Sequence, residues 1–165
     1  MNGAHLHLML VHFPIAGEIL CALLLLAAWR LRNDTVKLVG FALVVFVGLS
    51  VWAADKTGGW AAGILRDYPE VTRDTIHIHA EAAEWAVRSL TLNGLLAAYG
   101  LFTYWKKKQL PKWLFILVTL LAIHGSLVVA RVGYLGGQIR HPETRLGSTD
   151  VPATVATPQT TPAGK

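Results

Sequence analysis

Apolar residues along the 165-residue chain gather into four runs, at about residues 8–29, 38–54, 82–105 and 113–135. Each is near the roughly 20 residues that carry a helix across a ~30 Å hydrocarbon core at about 1.5 Å per residue. None is rich in turn formers. A segment inside lipid must satisfy its backbone groups internally, so an isolated run of this length is helical. Pro14 lies near the start of the first run, where it is tolerated best. The pattern predicts an all-α protein, a four-helix transmembrane bundle within residues 1–146. From 147 to 165 the chain turns to Thr, Pro, Ala and Gly, the composition of a disordered tail. There is no internal repeat.

The flanks of the runs fit this reading. Trp29, Trp52, Trp85, Trp105, Trp113 and Tyr134 lie near run ends, as an interfacial aromatic belt requires. Two short connections are basic: one holds Arg30, Arg32 and Lys37, the other Lys106, Lys107, Lys108 and Lys112. The positive-inside rule turns both to the cytoplasm and puts the N- and C-termini outside. Lys56, Arg66, Arg73, Arg140 and Arg145 lie on the outward segments, so the compact lysine cluster and the uncharged N-terminal stretch decide the orientation. The segment from Lys56 to Thr75 is expected as an outward loop with a short interfacial helix. No Lys or Arg precedes the first apolar run, so that run reads as a retained helix and not a cleaved signal peptide.

Composition narrows the class further. The chain is 53% hydrophobic and 15% charged, with a mean hydropathy of +0.45. A soluble domain carries about 25% charge. The pI near 9.6 raises nucleic acid as a partner. The basic residues cap apolar runs and form no stripe, so the partner they fit is the lipid bilayer. Cys21 is the single cysteine, which excludes an internal disulfide and a Cys-based zinc or iron–sulfur site. It reads as a small buried residue.

Counting from the basic ends sorts the polar residues by depth. Glu18 is twelve residues from Arg30, His124 twelve from Lys112, Ser50 thirteen from Lys37 and Asn93 thirteen from Lys106. Each helix therefore offers one polar residue roughly 18 Å up, near the midplane. An ionisable group there costs at least about 2.5–3.5 kcal/mol and should face inward with a partner. Glu18 and His124 are the expected pair, as an intramembrane proton site or as interhelical glue. A second layer, roughly 27 Å up, holds His12, Asp55, Arg88 and Arg131. Asp55 can neutralise one arginine there. The other can hold an anionic group, such as a porphyrin propionate or a lipid phosphate, or both can form a salt-bridged rim.

All seven histidines fall in the outer half of this topology. Imidazole is the commonest protein metal ligand and an axial haem ligand. His5, His7, His77, His79 and His141 should cap the outward mouth of the bundle, with Glu81 four residues after His77 on one helical face. The expected metal ligands are His7, His12, His77, His79 and His141. For a haem b, the candidates are His7, His12, His79 and His141, with Arg88 and Arg131 for its propionates. Copper, iron and zinc are the alternative cofactors. His12 and His124 differ by about 9 Å in height, so a haem would sit near the surface rather than mid-membrane.

The opening His7-Leu-Met-Leu-Val-His12-Phe13-Pro14-Ile15-Ala16 resembles the first signature of the bacterial membrane family called domain of unknown function 2231. The segment from Ala130 through Gly133-Tyr134-Leu135-Gly136-Gly137 to His141 resembles its closing signature. Asp55 to Gly58 and the histidines at 77 and 79 are similar to its middle, so the resemblance spans about residues 7–142. Two departures stand out: Leu8 replaces a proline usual after the first histidine, and Gln138-Ile139-Arg140 precede His141 where the family continues with an aliphatic–aromatic pair and His-Gly. The resemblance implies a four-helix inner-membrane protein. Through relatives joined to cytochrome-like domains, it also implies a redox association with a respiratory or cytochrome-type membrane complex. It implies no established activity.

Three functions follow as expectations. The first is haem or metal binding through the outward histidines, in membrane electron transfer. The second is a proton-coupled channel or transporter centred on Glu18 and His124, although no broken-helix pair marks a substrate site. The third is a non-catalytic accessory subunit packing through small residues such as Gly40 and Gly48, or Gly94, Ala98 and Gly100. No triad, phosphate loop or dinucleotide fingerprint is present, which favours a non-enzymatic role. Gly58-Gly59 and Gly136-Gly137 read as turn or helix-end glycines.

Overall fold

The computed structural model describes residues 2–66, 68 and 71–141. The tail expected from 147 onward lies outside the described residues. Five helical segments account for almost all of the rest: α1 (Gly3–Leu10), α2 (His12–Leu31), α3 (Asp34–Leu65), α4 (Arg73–Lys107) and α5 (Lys112–Arg140). No strand occurs among the described residues. α1 and α2 are one helix with a joint at Val11. Pro14 has no N–H to give the Leu10 carbonyl, while Val11 N–H to His7 O and Ile15 N–H to Val11 O hold the two sides together. The architecture is therefore the predicted four-helix bundle.

Local sequence sets the ends. Asn2, Asn33 and Thr72 each accept a backbone N–H three residues on and cap α1, α3 and α4. Arg32 and Lys108 take left-handed backbone at φ 52° and 55°, and so stop α2 and α4 at the two basic hairpins.

Two helices outrun their predicted limits. α3 continues through 55–65, where an outward loop was expected, and α4 starts at Arg73 rather than at 82. The physical reason is continuity. With neighbours on one side and no proline between 55 and 65, the i to i−4 ladder satisfies the backbone better than a loop does. Gly58 and Gly59 lie inside α3, and Gly136 and Gly137 inside α5, so none of the four ends a helix.

Three of the four rods are long and apolar enough to cross a membrane: Gly3–Leu31, Asp34–Leu65 and Lys112–Ile139. The fourth, α4, is more polar through Glu81, Glu84, Arg88 and Asn93, but it is 35 residues long and lies between α3 and α5. Around the bundle the order is α2, α3, α4, α5, with α5 closing onto α2 and α1 lying on α3. The outside is greasy. Leu49, Leu95 and Leu127 are 68%, 65% and 70% exposed, and all six tryptophans face outward. Such a surface would aggregate in water and is at home in lipid. This is a membrane protein.

The inside is built of small residues. A Cβ on Gly48 would stand 2.9 Å from the Leu90 carbonyl oxygen and 3.0 Å from Gly94 Cα, so α3 and α4 touch backbone to backbone. Gly40 accepts Leu25, and Gly100 accepts the Phe41 ring, which stacks on Phe115. Close approach of this kind drives helix association where lipid offers no hydrophobic contrast. Gly40, Gly48, Gly94 and Gly100 are consequently used up within the bundle, contrary to the expectation that they face a partner; only Ala98 of that set is exposed.

Candidate functional site

The basic hairpins lie at one end of the bundle; six of the seven histidines lie toward the other, and His124 lies near mid-height of α5. His7, on α1, points into the bundle. Its Nδ1 lies 3.0 Å from the Ala54 carbonyl oxygen and 3.2 Å from Thr57 Oγ1 on α3. The Thr57 hydroxyl already donates to the Ala53 and Ala54 carbonyls. A carbonyl only accepts, so the His7 proton sits on Nδ1 and Nε2 keeps its lone pair. The ring lies on Gly58, where a Cβ would stand 3.2 Å from its Cε1.

His79, on α4, is the second inward ring. It lies on Gly136 of α5 in the same way, a Cβ there standing 3.1 Å from its Cε1. Its Nδ1 is buried without a well-formed hydrogen bond, beside the Val132 backbone. Two of the predicted ligands, from α1 and α4, thus turn inward, each onto a glycine of a neighbouring helix. The two glycines mistaken for turn formers are the seats that make this possible.

The other predicted site residues are spread around this end. His77 is exposed and 3.6 Å from Glu81, the i to i+4 neighbour expected for it. His12 is exposed and turned back onto its own helix. His141 follows α5 as its C-cap and is also exposed. Arg88 pairs with Glu84 on its own helix, and Arg131 is exposed. Asp55 neutralises neither arginine: it is exposed, and the pairing of Arg88 is with Glu84. No group of three or more His, Cys, Asp or Glu converges to metal-binding geometry among the described residues.

The midplane layer is corrected in its pairing. Glu18 is 1% exposed and faces the bundle centre, whereas His124 is on the outer surface; no ion pair joins them. The side chain near Glu18 is Asn93, reaching across from the diagonally opposite helix. Contact is close but not well aligned, and both Glu18 carboxyl oxygens and both Asn93 amide atoms are buried without a well-formed hydrogen bond. A Cβ on Gly125 would collide with Glu18 Oε1, so that glycine makes room for the carboxyl group. Ser126 Oγ donates to the Glu18 backbone carbonyl at 3.2 Å. Ser50 bonds only its own helix, at the Val47 carbonyl. Cys21 is wholly buried in the apolar core, as expected of a small packing residue.

Sequence reasoning placed Glu18 and Asn93 in one layer but chose the wrong partner, because depth counting gives height and not azimuth. It missed Thr57, Gly58, Gly125 and Gly136, whose roles appear only once helices are paired. The chain matches no family model, no curated protein and no solved structure.

Proposed function

We propose that this protein binds a transition metal at the histidine-rich end of its bundle and serves membrane electron transfer. On this reading it resides in the bacterial inner membrane with both termini outside and belongs to the family called domain of unknown function 2231. One observation carries it: the His7 and His79 imidazoles, from separate helices, lie half-buried and within electrostatic reach of each other. His7 is held in the tautomer that leaves Nε2 available, by an oxygen partner of the kind that supports metal-bound histidines. Both rings rest directly on helix backbone, which suits copper, iron or zinc between them better than a haem b. His77 and His141 are at the same end of the bundle.

The test is metal analysis and absorption spectroscopy of the full-length protein purified in detergent after exposure to each metal and to haem. Bound metal without a Soret band is the expected result. His7→Ala or His79→Ala should weaken retention by at least about 10-fold, since even loss of an outer-shell partner costs about 10–100-fold. Absence of any bound metal would discard the reading, and a Soret band that disappears in the same variants would replace the ion by haem.

A second reading, an accessory subunit of a membrane complex, is favoured by His124. This ionisable side chain faces outward on the lipid-contacting side of α5, between Leu120 and Leu127, which are 59% and 70% exposed. Intramembrane ionisable groups seldom face lipid and instead find a partner. His124→Leu is expected to leave the isolated protein folded and to release a larger complex on native gels from mild detergent. An unchanged migration pattern would remove this reading.

A further inference from the structure

The outer face of α1 carries a second set of donors, separate from the inward His7. His5, Leu8, Met9 and His12 line one surface groove. Their spacing explains this: steps of four and three residues from His5 to Met9 to His12 keep all three on one helical face. The Val11 joint leaves that face continuous, because the backbone bonds of Val11 and Ile15 bridge it.

Both imidazoles are fixed in the same tautomer. His12 Nδ1 is 2.6 Å from the Leu8 carbonyl oxygen, which can only accept, so its proton is on Nδ1. His5 Nδ1 is 3.0 Å from Asn2 Oδ1, an atom that also accepts the His5 backbone N–H at 3.0 Å and is therefore the amide oxygen. His5 too carries its proton on Nδ1. Each ring thus has an oxygen behind it and a basic Nε2 in front, the outer-shell arrangement of metal-bound histidines. Met9 stands between them, 60% exposed on a flexible unbranched side chain whose sulfur can swing to either ring.

We propose that His5, Met9 and His12 form a binding site for monovalent copper. The donor set is two imidazoles and one thioether, with no carboxylate among the groove residues. Thioether sulfur selects Cu(I), whereas calcium, magnesium and manganese call for oxygen donors. The site stands on different side chains from the His7–His79 pair, so either can fail without the other.

The experiment titrates the full-length protein in detergent with Cu(I), under reducing anaerobic conditions, against a chromogenic Cu(I) chelator. The background is His7→Ala/His79→Ala, which removes the inner pair. One Cu(I) per chain should remain in that background, with a copper–sulfur path in X-ray absorption. Met9→Leu should erase that path and weaken Cu(I) binding by at least about 10-fold. Circular dichroism checks that each variant keeps its helices, which exposed positions allow. Cu(I) affinity unchanged in the His5→Gln/Met9→Leu/His12→Gln variant would overturn the proposal, as would a Cu(I) complex lacking the sulfur path.

Discussion

Gly94→Leu is expected to destroy the bundle, at a cost above about 3 kcal/mol. Overpacking a tight core usually costs about 1–3 kcal/mol, and here the obstruction is backbone rather than a yielding side chain. Even a Cβ at Gly94 would stand 3.2 Å from Gly48 Cα and 3.6 Å from the Val44 carbonyl oxygen. The three further carbons of leucine have no space unless α3 and α4 separate. Separation would unseat the neighbouring contacts of Leu90, Val44 and Val47, all at most 1% exposed. Gly48→Leu should behave alike, because its nearest neighbours are the Leu90 carbonyl oxygen and Gly94 Cα. Leu95→Ala is the control. Leu95 is 65% exposed, so its truncation should shift stability by no more than about 0.5 kcal/mol. Unfolding of the purified variants in a graded denaturing detergent, followed by tryptophan fluorescence, reads all three. A Gly94→Leu protein as resistant as the parent would mean that these helices do not cross at this point.

The same crossing shows what was legible beforehand. Run length and polarity were enough to predict four helices, their order and their class, because a bilayer leaves a backbone so few choices. The limits of α3 and α4 were not legible. Residues 55–65 mix Asp55, Lys56, Gly58 and Gly59 with Trp60, Ile64 and Leu65, and the helix runs on through them where Gly3 and His7 of α1 pack on Trp60 and Gly58. The site was legible in inventory and not in arrangement. Six of the seven histidines lie toward the end away from the basic hairpins, with His124 near mid-height of α5, yet nothing local distinguishes inward His7 and His79 from outward His12 and His77. The difference comes from glycines far away in sequence, Gly58 and Gly136, which leave room for a ring. His124 failed for the converse reason. Its neighbour Gly125 takes the inward position on α5, and a helix turns by about 100° per residue, so His124 points away.

Exchanging both members of the Glu18–Asn93 pair for apolar residues should leave the fold intact, whereas exchanging one should not. Burying polar groups whose hydrogen bonds are imperfect is costly, and orphaning one of two partners costs about 1–3 kcal/mol. Glu18→Met keeps an unbranched chain of similar reach beside Gly125 and strands the Asn93 amide; Asn93→Leu strands the carboxyl group in the bundle centre. Each single variant should therefore lose about 1–3 kcal/mol, while Glu18→Met/Asn93→Leu should match or exceed the parent, since apolar replacement of both partners is often neutral or stabilising. A double-mutant cycle on the detergent-unfolding curves measures the coupling directly. Additive losses would show that the two groups do not meet across the diagonal. A positive coupling has a further consequence. A carboxyl group that stability does not require, held in the middle of a membrane against a cost of at least about 2.5 kcal/mol, then calls for a functional test. The stable double variant then becomes the reagent for proton-flux measurements in vesicles: flux present in the parent and lost in the double variant would assign proton movement to Glu18, and equal flux in both would remove it from that role.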